Sequence, residues 1–182
     1  MKTASVEQKI FDSEYQIEFN KNLIAACGLF CGSCGIYLAS KENDTERLLH
    51  YAIVLNQSLE ETYCEGCGSE KKSAHCLKNC IFIKCQLEKG VSLCCNCKEF
   101  FCDKLETFRQ KMPHRVEIEQ SQKLLLSTDW KNWLIFQNDR FRCINCNTIN
   151  SAYHIWCRNC GNTPSCKFIE EHNETIETYL ID

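Results

Sequence analysis

Short, repeated gaps between cysteines constrain this chain more than any other feature. Seventeen of its 182 residues are cysteine, and most fall into C-x₂-C, C-x₃-C and C-x₄-C spacings. The clearest set is Cys143-x₂-Cys146-x₁₀-Cys157-x₂-Cys160. Each C-x₂-C knuckle places two thiolates on one side of a tight turn, and two knuckles complete a tetrahedron around a metal ion. A disulfide framework has no need of repeated two-residue gaps.

Composition explains why such a chain would need metal. The apolar share of 44% counts cysteine; without it roughly 35% remains, below the usual share for a globular domain. A core this thin relies on staples. The first twenty residues are charged throughout and carry no apolar signal segment, and no stretch approaches the length of a membrane span. With an odd cysteine count, these features predict reduced thiols in the cytoplasm, where dense cysteine means metal or redox chemistry. The net charge is −3, and four Cys₄ zinc sites would take it to about −11. The balance gives no DNA or membrane signal and argues against a general polyanion binder.

The expected fold class is α+β: a small, metal-stapled, helix-containing cysteine-rich domain followed by a ribbon. Residues 1–22 read as a polar lead-in, partly helical, 23–138 as the cysteine-rich domain, 139–166 as the zinc ribbon and 167–182 as an acidic helical tail. Asp44 caps a helix whose face is Leu48, Tyr51, Ala52, Leu55 and Leu59. Irregular backbone with single helical turns is expected from Cys64 to Cys102. Leu105, Phe108 and Met112 form a stripe on a helix ended by Pro113, and Val116 to Ser127 forms another amphipathic helix. Asp129 caps the aromatic run WKNWLIFQ, and the tail from Phe168 to Leu180 would dock through Ile169, Ile176 and Leu180.

Beyond the ribbon, the candidate metal ligands are Cys27, Cys31, Cys34, Cys64, Cys67, Cys76, Cys80, Cys85, Cys94, Cys95, Cys97 and Cys102, enough for three Cys₄ sites. The spacing pairs Cys31 and Cys34 with Cys64 and Cys67, and Cys80 and Cys85 with Cys97 and Cys102. Cys27, Cys76, Cys94 and Cys95 then complete these sites or form a third. Cys166 has no assigned partner, and His75 beside Cys76 is a candidate fourth ligand. His172 is expected to be solvated. Zinc is the expected occupant; an iron–sulfur cluster, which thiolates also hold, is the alternative. Cys27-x₃-Cys31-x₂-Cys34 has the spacing of radical S-adenosylmethionine enzymes, but Ser33 stands where those carry an aromatic, and no barrel pattern follows. No recognised catalytic motif is present, which leaves catalytic residues unassigned and leans away from an enzyme.

Two resemblances sharpen this. The ribbon FRCINCNTINSAYHIWCRNCGNTP is similar to the zinc finger named after the Ran-binding nucleoporin, matching it at Phe141, Cys143, Cys146, Asn150, Cys157 and Cys160, with Phe141 replacing the usual tryptophan. That family binds single-stranded RNA or ubiquitin. The resemblance thus implies Arg142, Arg158, Tyr153 and Trp156 as possible RNA contacts, against the simpler expectation that Tyr153 and Trp156 pack under the zinc loop. Residues 25–146 resemble an uncharacterised bacterial and archaeal group, domain of unknown function 3795. The likeness lies in the ACGLFCGSC opening, Cys64-Glu65-Gly66-Cys67, and the stretch from Cys80 through Lys89, Gly90, Cys94, Cys97 and Phe100 to Cys102. It implies metal binding, usually taken as zinc. The expectation is a cytoplasmic protein with structural Cys₄ zinc sites, serving as a protein- or RNA-binding module, with an iron–sulfur protein of electron transfer or radical chemistry, using the N-terminal cysteines Cys27, Cys31 and Cys34, as the alternative.

Overall fold

The computed structural model describes residues 17–181. Residues 1–16 of the lead-in lie outside that range. Lys21–Leu23 forms a single 3-10 turn, opened by Asn20, whose side chain accepts from the Asn22 N–H at 3.0 Å.

The described residues form nine α-helices: α1 (Gly35–Lys41), α2 (Thr45–Leu55), α3 (Leu59–Thr62), α4 (Ala74–Asn79), α5 (Ile81–Lys89), α6 (Asp103–Gln110), α7 (Ile118–Ser127), α8 (Trp130–Phe141) and α9 (Lys167–Ile181). Their starts follow from side-chain chemistry. Asp44 accepts from the Arg47 N–H to cap α2, and Asp129 accepts from the N–H groups of Lys131 and Asn132 to cap α8. Ser58 and Glu61 form a reciprocal capping box on α3. Gly90 ends α5 at φ +64°, a conformation glycine adopts without steric cost. No described helix is long and apolar enough to cross a membrane.

The expected α+β class is wrong, because no sheet forms among the described residues. Extended pairing is limited to two isolated bridges, Ile24 with Phe30 and Arg142 with Ile149. Each bridge spans a cysteine turn, and beyond it the chain is spent on the turn itself, so a ladder has no residues with which to extend. The stretch from 64 to 102 is also more regular than expected, since α4 and α5 occupy its middle. Two apolar assignments fail at helix ends: Leu59 lies outside α2 and is exposed, as is Leu180. A repeat of three and four residues does not report where a helix leaves the protein body.

One core runs through the described chain. Trp133, Leu134, Ile118, Leu105, Phe82, Phe168, Ile169 and Ile176 are almost fully enclosed. Ring contacts thread it in sequence: Trp133 meets Phe30 edge-on at 6.0 Å, Phe30 lies 6.0 Å from Phe141, and Phe141 stacks on Phe168 at 5.1 Å. Phe30 precedes Cys31, and Phe141 opens the ribbon. A Cβ at Gly32 would lie 2.2 Å from the Phe30 ring, so a side chain there would have to push that core ring aside.

One buried polar group ties the cysteine turns to the helices, and a second ties helices together. Gln122 of α7 is fully enclosed; its Nε2 donates to Ala26 O at 2.8 Å, and its Oε1 accepts from the Cys95 N–H at 2.9 Å. The Cys94 N–H donates to the same Ala26 carbonyl at 2.9 Å. Nearer α9, the buried Arg140 guanidinium bridges Glu117 and Glu171, while His172 Nε2 lies 2.7 Å from Glu117. His172 is therefore paired rather than solvated, and α9 departs from helical angles at that residue.

Replacing Gln122 with alanine would strand a buried N–H and remove a donor from a buried carbonyl, a cost of about 2–4 kcal/mol. Denaturant unfolding of the metal-loaded Gln122→Ala protein should show a lower midpoint with an unchanged slope; an unchanged midpoint would show that neither backbone group depends on the carboxamide.

Candidate metal centres

The ribbon gathers its four sulfurs. Cys143 and Cys160 lie 3.7 Å apart, Cys146 and Cys157 lie 3.6 Å apart, and all four Sγ atoms fall within 4.8 Å of one another. A tetrahedral zinc with Zn–S bonds near 2.3 Å sets sulfur–sulfur edges of about 3.8 Å. The donor set and its spacing thus fit a single metal ion.

The surroundings favour the thiolate at Cys146 and Cys157 and oppose it at Cys143. The Asn145 N–H donates to Cys143 Sγ at 3.4 Å, Asn145 Nδ2 to Cys160 at 3.4 Å, and Asn150 Nδ2 to Cys157 at 3.6 Å. The Thr148 hydroxyl, 3.3 Å from Cys146, is the largest cause holding that thiol down at about 6. Against desolvation, which raises it, amide donors from Cys160, Asn159 and Asn150 keep Cys157 below the ordinary thiol range. Burial outweighs such donors at Cys143, which is pushed up to about 12. Asn150 is fully enclosed. Its Nδ2 also donates to Thr148 O and Ser165 O, and its Oδ1 accepts from the Arg158 N–H, so one side chain holds both knuckles.

The remaining candidates fall into neighbourhoods. The Cys67 N–H donates to Cys31 Sγ at 3.3 Å, and the Cys31 thiol is the largest influence raising the pKa of Cys67, with Cys76 on its other side. Desolvation pushes Cys34 up to about 11, with the charges of Cys64 and Cys76 adding to it. Cys31, Cys34, Cys64, Cys67 and Cys76 thus share one region. Cys85, Cys94, Cys97 and Cys102 line a cavity of about 260 Å³ between α5 and α6. Cys80 does not line it. It lies in electrostatic reach of the buried Cys27, which desolvation pushes up to about 12. Cys27 is also in reach of Cys94, so Cys80 and the cavity cysteines adjoin through it. Adjacent Cys94 and Cys95 also diverge, Cys95 Sγ lying 3.8 Å from Asn96 Oδ1. Among the described residues outside the ribbon, no three cysteines bring their sulfurs within 4.8 Å of one another.

Cys166 is buried at the start of α9, with the Ser165 hydroxyl 3.6 Å from its sulfur. His75 is exposed, its Nδ1 beside Asn79, and joins no cysteine group. Glu117, Glu171 and His172 also lie within 4.8 Å of one another, but Arg140 already takes both carboxylates, so the trio is an ion-pair network.

The four possible RNA contacts have separate fates. Arg158 forms a two-point ion pair with Glu42, one contact at 2.7 Å, and its Nε donates to Ile149 O. Arg142 pairs with Asp139 at 3.1 Å. Tyr153 is half-buried, bonded to His114 and packed 5.7 Å from Tyr179. Trp156 is 65% exposed, as is Ile144 at 86% on the first knuckle. Tyr153 therefore packs against His114 and Tyr179, whereas Trp156 is exposed. Gln122, which secures two of the cysteine turns, escaped sequence reading. Its signal is a carboxamide at a core position of α7, in register with Ile118 and Leu125.

Residues 23–107 match a family described as a protein of unknown function (DUF3795). The match takes in every cysteine from Cys27 to Cys102 and ends before the ribbon, short of the span to residue 146 that the resemblance suggests. No curated protein and no solved structure matches the chain.

Replacing Asn150 with alanine removes the bridge between the knuckles and should weaken metal binding there about 10- to 100-fold, read with added zinc as probe by competition with a chromogenic chelator. A second expectation concerns pH. Burial, then Arg115, lowers His114 to about 4, and burial, then Arg158, lowers His154 to about 4. In the unfolded chain both bind a proton near about 6.5. The unfolded state therefore takes up protons first, and stability falls as pH drops from about 6.5 towards 4. Compared at each pH with the parent, His114→Gln should flatten part of that fall; parallel curves would show that His114 does not contribute.

Proposed function

We propose that this is a zinc-stapled binding protein, in which the ribbon holds a structural zinc and presents a face to a protein partner. The observation that carries the metal assignment is the set of sulfur spacings at Cys143, Cys146, Cys157 and Cys160, with N–H donors aimed at three of the four sulfurs. The ribbon pattern supports the likeness to the nucleoporin-type finger, and cysteines spaced for metal ligation rather than for disulfides support a cytoplasmic setting.

Trp156 and Ile144 favour a protein over RNA. They are large apolar side chains exposed on the ribbon, and aromatic anchors of this kind dominate protein interfaces. An RNA reader would need free arginines beside the stacking ring, whereas Arg158 is committed to Glu42 and Arg142 to Asp139.

Metal analysis tests the first part: the intact protein should carry ribbon zinc, and Cys160→Ala should lose one equivalent. Retention of all zinc by that variant would overturn it. Trp156→Ala should keep the zinc and change stability by no more than about 0.5 kcal/mol while abolishing partner binding. Tight binding of single-stranded RNA at low salt, weakened by Arg142→Ala and Arg158→Ala, would replace the protein partner with RNA.

A further inference from the structure

The cavity between α5 and α6 differs from the ribbon in the way its cysteines are arranged. Four thiols from three segments converge on it: Cys85 from α5, Cys94 and Cys97 from one C-x₂-C turn, and Cys102 at the cap of α6. Cys94 is in electrostatic reach of each of the other three. Yet no three of these sulfurs come within 4.8 Å of one another, while the ribbon packs four into that distance. The space they surround is about 260 Å³, walled by Phe82, Leu105, Phe100 and Val91.

A lone zinc draws its thiolates together to edges of about 3.8 Å. An iron–sulfur cluster places its own iron and sulfide between the cysteines, and therefore holds them farther apart around a larger void. The cavity has the remaining features such a group needs. The Glu99 N–H donates to Cys97 Sγ at 3.5 Å, a contact of the type that tunes a cluster. Lys89 lies in electrostatic reach of Cys85 and Cys97 while paired with Glu99, so the cavity rim carries both signs of charge. Phe82, Phe100 and Leu105 give the cavity an apolar wall, and Lys89, Glu99 and Asp103 a charged rim.

We infer that Cys85, Cys94, Cys97 and Cys102 form a binding site for a four-cysteine iron–sulfur cluster of the [4Fe–4S] class, separate from the ribbon zinc. This goes beyond the zinc-stapled reading, and it puts the cluster at these four residues rather than at Cys27, Cys31 and Cys34.

The test uses the full chain purified without oxygen and reconstituted with ferrous iron and sulfide. A brown protein with about four iron and four acid-labile sulfide per chain is expected, alongside the ribbon zinc. Cys97→Ala and Cys102→Ala should each lose at least tenfold of the iron and sulfide while keeping zinc and helical circular dichroism. Should either alanine variant fail to fold, Cys85→Ser and Cys102→Ser keep the shape of the cavity and should give altered visible and electron paramagnetic resonance spectra. Cys160→Ala should lose zinc and keep iron, so that failure of the ribbon assignment is distinguishable from failure of this one. A colourless parent protein after reconstitution, iron unaffected by the cavity variants, or one zinc lost with each of them would overturn the assignment.

Discussion

A single buried carboxamide, that of Gln122, settles how the cysteine turns meet the helices. Chain segments without a sheet carry backbone donors and acceptors that must be satisfied in some other way. The Ala26 carbonyl accepts from both Gln122 and the Cys94 N–H, and the Cys95 N–H is received by the same glutamine. Two turns about seventy residues apart in the chain are thereby fixed against one helix face. The neighbouring Ser121 extends the seam. Its hydroxyl donates to Gly28 O at 2.6 Å and lies 3.1 Å from the Trp133 Nε1 donor. Helix packing and the placement of cysteines are one problem here, solved by side-chain amides and hydroxyls in place of strand pairing.

Helix starts were the most legible part of the fold, since Asp44 and Asp129 act locally through their own side chains. The buried faces of α8 and α9 were legible for the same reason: Trp133, Leu134, Ile169 and Ile176 recur at helical spacing and are enclosed. The strand component of the expected fold was not there. Knuckle sequences look like hairpins, but each yields one bridge before the chain turns away. The helices α4 and α5 were hidden by a density of cysteines that suggested only turns.

The candidate sites were legible to different depths. The ribbon reads directly because its four cysteines lie close together in the chain and one asparagine joins the halves. Grouping of the other twelve depends on how helices pack, which spacing does not encode. Cys80 lies in reach of Cys27, fifty-three positions earlier, and Cys31 and Cys67 touch across thirty-six positions. Arg158 illustrates the same limit, because its engagement by Glu42 spans 116 positions.

The aromatic thread from Trp133 through Phe30 and Phe141 to Phe168 has a bearing on modularity. The segment that matches the known family stops at residue 107, yet Phe30 within it is covered by rings from α8, on both its edge and its face. The boundary of sequence likeness and the boundary of the cooperative folding unit therefore fall in different places. Excising the matched segment would leave one wall of its interior facing water. The ribbon belongs to that interior as much as to the surface, since Phe141, Ala152 and Ile155 lie in the same buried cluster as Phe30.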